Sequence, residues 1–132
     1  MRVSIDELDY SDYHVYLYQG KPFTGIAYES LADGRIVAED SYVDGVLKGY
    51  SKEWYPTGEL QSEVYYMSGA LHGKCRQWYI DGTLKSEYLY EYGILITKKE
   101  WDENGKLFEE YKIDESDSRI ETLEKFRELK KE

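Results

Sequence analysis

The feature that most constrains the fold of this chain is a period. Residues 45–68 read GVLKGYSKEWYPTGELQSEVYYMS and residues 69–92 read GALHGKCRQWYIDGTLKSEYLYEY, two 24-residue units that match slot for slot. Gly, a second Gly, Trp-Tyr, a third Gly, Leu, Ser-Glu and Tyr hold the same places in both. Self-similarity at this spacing predicts stacked copies of one supersecondary unit. The pattern extends in both directions. Gly34, Glu39, Tyr42 and Gly45 repeat the spacing of Gly58, Glu63, Tyr66 and Gly69, and Trp101, Gly105, Leu107 and Glu110 form a fourth copy with one residue deleted. All eleven glycines fall into three slots of this unit, with Gly20 and Gly25 in a first copy one residue longer.

Glycine punctuates both ends of each unit. Tyr55-Pro56-Thr57-Gly58 and Tyr79-Ile80-Asp81-Gly82 put Gly fourth, as do Tyr66-Met67-Ser68-Gly69 and Tyr90-Glu91-Tyr92-Gly93. The pattern predicts three-residue hairpin loops, a type I turn followed by a left-handed Gly. Connections that short pair each strand with its sequence neighbours. The expected result is a mainly β fold: a single-layer antiparallel hairpin-repeat meander of nine or ten strands.

Such loops imply a register. Trp54 is expected opposite Leu60, Trp78 opposite Leu84 and Trp101 opposite Leu107. The same counting sets Lys52 against Ser62, Ser51 against Glu63, Cys75 against Glu87, Glu63 against Gly73 and Tyr65 against Leu71. One face would then carry Tyr50, Trp54, Leu60, Val64, Tyr66, Trp78, Leu84, Tyr88 and Tyr90 with Lys52, His72, Lys74 and Arg76. The other would carry Glu39, Glu53, Tyr55, Glu59, Glu63, Tyr65, Tyr79 and Glu87. Glu39, Glu63, Glu87 and Glu110 recur once per two strands, about 10 Å apart at the usual strand spacing. That is too far for two carboxylates to share a proton and suits either internal bonding or an acidic row for a cationic partner.

The termini differ in character. Residues 1–17 form a lead-in, with Asp-rich 6–12 expected as a turn or short helix and Val15 and Leu17 in a strand. Residues 18–113 hold the four hairpin repeats. In 114–132, Asp114-Glu115-Ser116-Asp117-Ser118 offers N-caps, while Ile120, Leu123, Phe126 and Leu129 recur at helical spacing before Arg127, Lys130 and Lys131. A helix over about 117–130 is expected to cap the open edge of the last hairpin, because exposed edges invite aggregation. The 132 residues are read as one domain.

Composition then narrows function. Fifteen Tyr among 16% aromatic residues suit a half-buried sheet. A net charge of -10 repels nucleic acid and anionic lipid and draws a basic protein. No apolar run could span a bilayer, no signal segment follows Met1, and one Cys excludes an internal disulfide, so the expected compartment is the cytoplasm. No enzyme chemistry emerges. His72 and Cys75 occupy the slots of Lys48 and Ser51, too ordinary for a nucleophile and its base. His14, His72 and Cys75 are too few and scattered for zinc. No cofactor or metal is expected.

The unit G-x-x-x-G-x-x-x-x-W-Y-x-x-G-x-L-x-S-E-x-x-Y-x-x-G resembles MORN-type repeats, in the variant found in bacterial antitoxins. The lead-in Tyr18-Gln19-Gly20-Lys21-Pro22-Phe23-Thr24-Gly25 resembles the opening of those proteins, and the likeness covers residues 15–112. Copy one departs from it, with Ser30 and Leu31 in the Trp-Tyr slots, as does copy four, with Thr97 for Gly. The resemblance implies a hairpin-repeat sheet and a cytoplasmic antitoxin or immunity protein acting on nucleic-acid-targeting toxins. Combined with the charge, it predicts occlusion of a basic toxin domain by an acidic, Tyr-rich face. The expected contacts are Glu53, Tyr55, Glu63, Tyr65, Tyr79 and Glu87, with no nucleic acid or membrane partner and a monomer favoured. A MORN-type scaffold or lipid-associated module, and a glycan-binding sheet, are the competing readings.

Overall fold

The computed structural model describes residues 1–130. Ten strands form one open sheet. It comprises β1 (Arg2–Ser4), β5 (Gly25–Ser30), β6 (Ile36–Val43), β7 (Val46–Trp54), β8 (Leu60–Met67), β9 (Ala70–Leu71), β10 (Gly73–Trp78), β11 (Leu84–Glu91), β12 (Ile94–Trp101) and β13 (Leu107–Lys112). From β5 to β13 neighbours in sequence pair antiparallel, with β9 a short extension on β8. The departure is at the start, where β1 lies parallel to β5. A second sheet of β2 (Leu8–Tyr10), β3 (Tyr16–Tyr18) and β4 (Lys21–Pro22) follows a 3-10 turn at Ile5–Glu7. The chain closes with helix α1, Arg119–Lys130.

Two kinds of turn alternate. At Gly58 the amide donates to the Tyr55 carbonyl at 2.8 Å, and Gly82 repeats this on Tyr79, giving the expected type I turn with a left-handed Gly. The other ends are tighter than expected. Val43 pairs Val46, Met67 pairs Ala70 and Glu91 pairs Ile94, so these loops have two residues. Asp44, Ser68 and Tyr92 take positive φ along with the Gly that follows each, the signature of a type I′ hairpin. The amides of Gly45, Gly69 and Gly93 donate back to the carbonyls of Phe23, Leu47 and Leu71. These bonds tie each copy to the one before it.

The opposite ends are tied by tyrosine. The Tyr55 hydroxyl donates to the Trp78 carbonyl at 2.7 Å and the Tyr79 hydroxyl to the Trp101 carbonyl at 2.8 Å. Copy one has Leu31 in that slot and no hydroxyl to offer; there Arg35 reaches across to the Pro56 carbonyl instead.

The register holds at the Trp-Leu pairs and slips by one beyond them. Trp54, Trp78 and Trp101 face Leu60, Leu84 and Leu107 as expected. Each pair is followed by a bulge, which leaves Gln61, Lys85 and Phe108 unpaired, and Val37 in copy one. One extra residue reverses the alternation that follows. Lys52 therefore faces Glu63, Ser51 faces Val64 and Cys75 faces Tyr88. Across the next pairing Glu63 faces Arg76, and Tyr66, in place of Tyr65, faces Leu71. The expected sorting of side chains onto faces is corrected accordingly.

The densest packing lies at the N-terminal end. Val3, Phe23, Ala27 and Tyr42 are buried together, with Ile5, Leu8, Tyr16, Tyr18 and Leu47 against them. The small second sheet thus covers the first copy. Gly45 sits at this junction with φ 82°, and a Cβ there would lie 2.7 Å from the Tyr16 carbonyl oxygen, so no side chain fits. Away from that end cover is thin, and every residue of β8 is half-buried.

Helix α1 caps the sheet, as the sequence suggested, but from its end: Arg119 reaches the Tyr111 hydroxyl of β13 at 3.4 Å and leaves the length of that edge uncovered. It lies across the two-residue loops. Phe126 stacks on Tyr92 at 4.8 Å, and the Arg127 guanidinium grips Glu91 through two 2.8 Å bonds. Leu123 is fully buried, whereas Phe126 and Leu129 stay largely exposed, so one residue anchors the stripe. The Arg127 hydrogen bonds hold the Glu91 carboxyl below its usual range. A carboxylate depressed in the folded state stabilises above its unfolded pKa and loses that contribution as pH falls through its folded value. Arg127→Ala is therefore expected to cost about 0.5 kcal/mol at pH 7, given the screening at this exposed clasp. The difference in melting temperature between variant and parent should shrink as pH falls below the usual carboxylate range.

Candidate functional site

Directly opposed residues share a face, so the pairings trace rows across the sheet. One row runs Glu39, Lys52, Glu63, Arg76, Glu87, Lys99, Glu110 from β6 to β13. Its charges alternate strand by strand. Arg2 reaches Glu39 at 2.7 Å, Lys52 reaches Glu63 at 3.6 Å, and Arg76 reaches Glu87 at 2.8 Å. With Arg2 counted, four acids meet four bases and the row is neutral. Glu39, Glu63 and Glu87 thus each face a cation supplied by the first strand of the next hairpin, in place of the small neighbours expected, and Glu110 faces Lys99 of its own hairpin.

Each cross-strand pair of this kind contributes about 0.2–1 kcal/mol. Glu63→Lys would turn two attractions into two repulsions, against Lys52 on one side and Arg76 on the other. The expected loss is about 2 kcal/mol, read as a drop in melting temperature of roughly 5–10 °C. Adding Arg76→Glu should not rescue it, because the clash only moves outward to Glu87.

The opposite face carries a row of different character. Glu29, Ala38, Glu53, Ser62, Gln77, Ser86, Glu100 and Glu109 follow one another from β5 to β13. Acids or Gln stand on the first strand of each hairpin and small residues on most of the second, so no cation intervenes. Glu29, Glu53 and Glu109 are exposed. Glu100 accepts from the Tyr88 hydroxyl, and that bond with burial pushes the Tyr88 phenol up to about 12. In the next row Asp40 sits opposite Ala27 and Ser51, beside Tyr42 and Tyr66, whose phenols are raised first by burial and then by this carboxylate. Glu29, Asp40 and Glu53 line one shallow depression with Leu31, Val37 and Trp54.

The six residues expected to make contact do not share one face. Glu63, Tyr65 and Glu87 lie on the neutral-ladder side, with the Tyr65 and Tyr50 rings edge to face at 5.1 Å. Glu53 lies on the unpaired-acid side. Tyr55 and Tyr79 spend their hydroxyls on the latches between copies. The sequence reading missed Glu29, Asp40, Glu100 and Glu109. The signal was present in part, as Glu29, Glu53, Gln77 and Glu100 recur at 24, 24 and 23 residues.

His72 and Cys75 form no nucleophilic pair. His72 Nδ1 accepts from the Tyr92 amide at 3.0 Å, which occupies the basic nitrogen. Burial pushes the Cys75 thiol up. No helix among the described residues is long and apolar enough to cross a membrane.

Stacked, bulge-registered hairpins of this kind define a MORN-type hairpin-repeat protein. The family model described as MORN repeat variant matches residues 47–67, 71–92 and 96–113. The chain is also 58% identical over 109 residues to Immunity protein YwqK of Bacillus subtilis (strain 168), covering 83% of this chain and 71% of that one. It belongs to the MORN repeat variant family that includes this relative. No solved structure matches.

Proposed function

We propose that this protein is an immunity protein that binds a cognate toxin and neutralises it by occlusion. The observation that carries the reading is the extended identity to a protein named as an immunity protein. The chemistry of the surface agrees. A net charge of -10 steers the protein toward a cationic cleft, the kind that enzymes acting on nucleic acid present to phosphate. Binding alone achieves the effect, and no catalytic group is required.

The contact surface we assign is the unpaired-acid face, led by Glu29 and Glu53 and flanked by Asp40. The ladder face is the poorer candidate, because a cationic partner there would have to displace Lys52 and Arg76 from Glu63 and Glu87. Tyr65, half-buried beside the exposed Tyr50 ring, is a rim contact by its residue type. In this scheme Tyr55, Tyr79, Glu63 and Glu87 act as positioning residues that hold the rows in register.

The test is co-expression with the toxin encoded by the adjoining gene. Growth should be restored and the two proteins should purify together. A toxin that kills at an unchanged rate, with no complex recovered, overturns the reading.

A further inference from the structure

The last strand of the sheet is left open. Among the described residues β13 pairs with β12 alone, α1 meets it only through Arg119 at the Tyr111 hydroxyl, and Leu107 to Glu110 are all exposed. The direction of its backbone groups follows from one bond. The Ile113 amide donates to the Ile96 carbonyl at 2.8 Å. In an antiparallel ladder inward-bonded residues alternate with outward ones. Tyr111 and Glu109 therefore bond back to β12, while Glu110 and Lys112 turn their N–H and C=O groups away from the sheet. Such an edge is a template for a further strand.

We infer that a second copy of this chain occupies the edge, β13 against β13 about a two-fold axis, with Glu110 of each protomer opposite Lys112 of the other. Outward groups must meet outward groups, which allows three registers of Glu110 and Lys112. One sets Glu110 against its own counterpart and another Lys112 against its own, and like charges directly opposed destabilise both. The third sets Glu110 against Lys112 twice and Tyr111 against its counterpart. Charge selects the third. A two-fold axis normal to the sheet keeps the faces continuous, so the ladder extends as Lys99, Glu110, Lys112 of the partner copy. The terminal Glu110, alone in having a cation on one side only, gains its second neighbour.

The occupant is specified by both residues together. A uniformly basic strand would satisfy Glu110 and repel Lys112, and an acidic one would do the reverse. This chain's own sequence supplies both partners. Four backbone hydrogen bonds and two ion pairs make a small, isologous interface, so the dimer forms and dissociates with concentration. It also places two unpaired-acid rows on one continuous surface, which gives each dimer two sites for a toxin.

Sedimentation velocity on the full chain across a concentration series tests this without any toxin. The parent should shift from monomer to dimer as concentration rises, and the Glu110 and Lys112 amides should slow in hydrogen exchange over the same range. Glu110→Lys and Lys112→Glu should each weaken association about tenfold, near 1.4 kcal/mol, and the double exchange E110K/K112E should restore it. Glu110→Pro removes an outward N–H without breaking an inward bond and should abolish the dimer. Circular dichroism confirms that each variant is folded. A parent that stays monomeric at every concentration overturns the inference. So does a folded double exchange that fails to recover, or protection of these amides only when a toxin is added.

Discussion

Phe23→Ala is expected to lower stability by about 3–5 kcal/mol, a large share of the roughly 5–15 kcal/mol that holds a domain folded. Phe23 is 2% exposed and is one of the two largest fully enclosed side chains. Its ring meets Tyr42 at 5.8 Å and Tyr18 at 6.1 Å, and its carbonyl accepts the Gly45 amide. Removing the ring opens a cavity where the small N-terminal sheet meets the first repeat. Phe126→Ala provides the contrast. That ring is 40% exposed against Tyr92, and its loss should cost about 1 kcal/mol. Urea unfolding followed by tyrosine and tryptophan fluorescence measures both.

The second large effect concerns binding. Glu29→Lys with Glu53→Lys should lower affinity for the toxin about a hundredfold, or 2.7 kcal/mol, most of it in association rate at low salt. Both side chains are exposed and neither is within ion-pair distance of a cation among the described residues, so the melting temperature should barely move. The effect should shrink as ionic strength rises through 0.15 M, where the Debye length is about 8 Å. The ladder supplies the control. Glu63→Gln leaves Lys52 and Arg76 without a common partner, so it should reduce stability while leaving affinity within about twofold.

Much of this architecture was legible from the spacing of glycines. Gly58, Gly82 and Gly105 mark type I turns, and the Trp-Leu pairs beside them fall where loop length puts them. What could not be read was the bulge one residue further on. Gln61, Lys85 and Phe108 have no chemistry in common, since a bulged residue needs no unusual φ and leaves no mark on composition. That one unmarked residue decides whether Glu63 faces Ser51 or Lys52, and so whether the acidic row is free or neutralised. The two-residue loops were hidden for a related reason. Tyr92 adopts a φ of 50° that its side chain would not suggest, because the Gly93 amide and His72 hold it there.

The helix was found and its site was not. Ile120, Leu123, Phe126 and Leu129 predict a stripe but carry no address. The address is supplied by Arg127 on Glu91 and by the Phe126 stack on Tyr92. The N-terminal core was likewise silent in sequence. Phe23 follows a proline and shows no alternation, and its burial depends on β2, β3 and β4 folding back over β5.

The two faces of the sheet differ: one has its charges paired within the sheet, and the other carries acids with no cation opposite, the surface proposed for the toxin. Carbodiimide labelling of carboxylates in the free protein and in the toxin complex, read by mass spectrometry, addresses it directly. Glu29 and Glu53 should label readily when free and become protected on binding, while Glu39, Glu63 and Glu87 should change little. Protection of Glu63 and Glu87 with Glu29 and Glu53 still open would contradict the account.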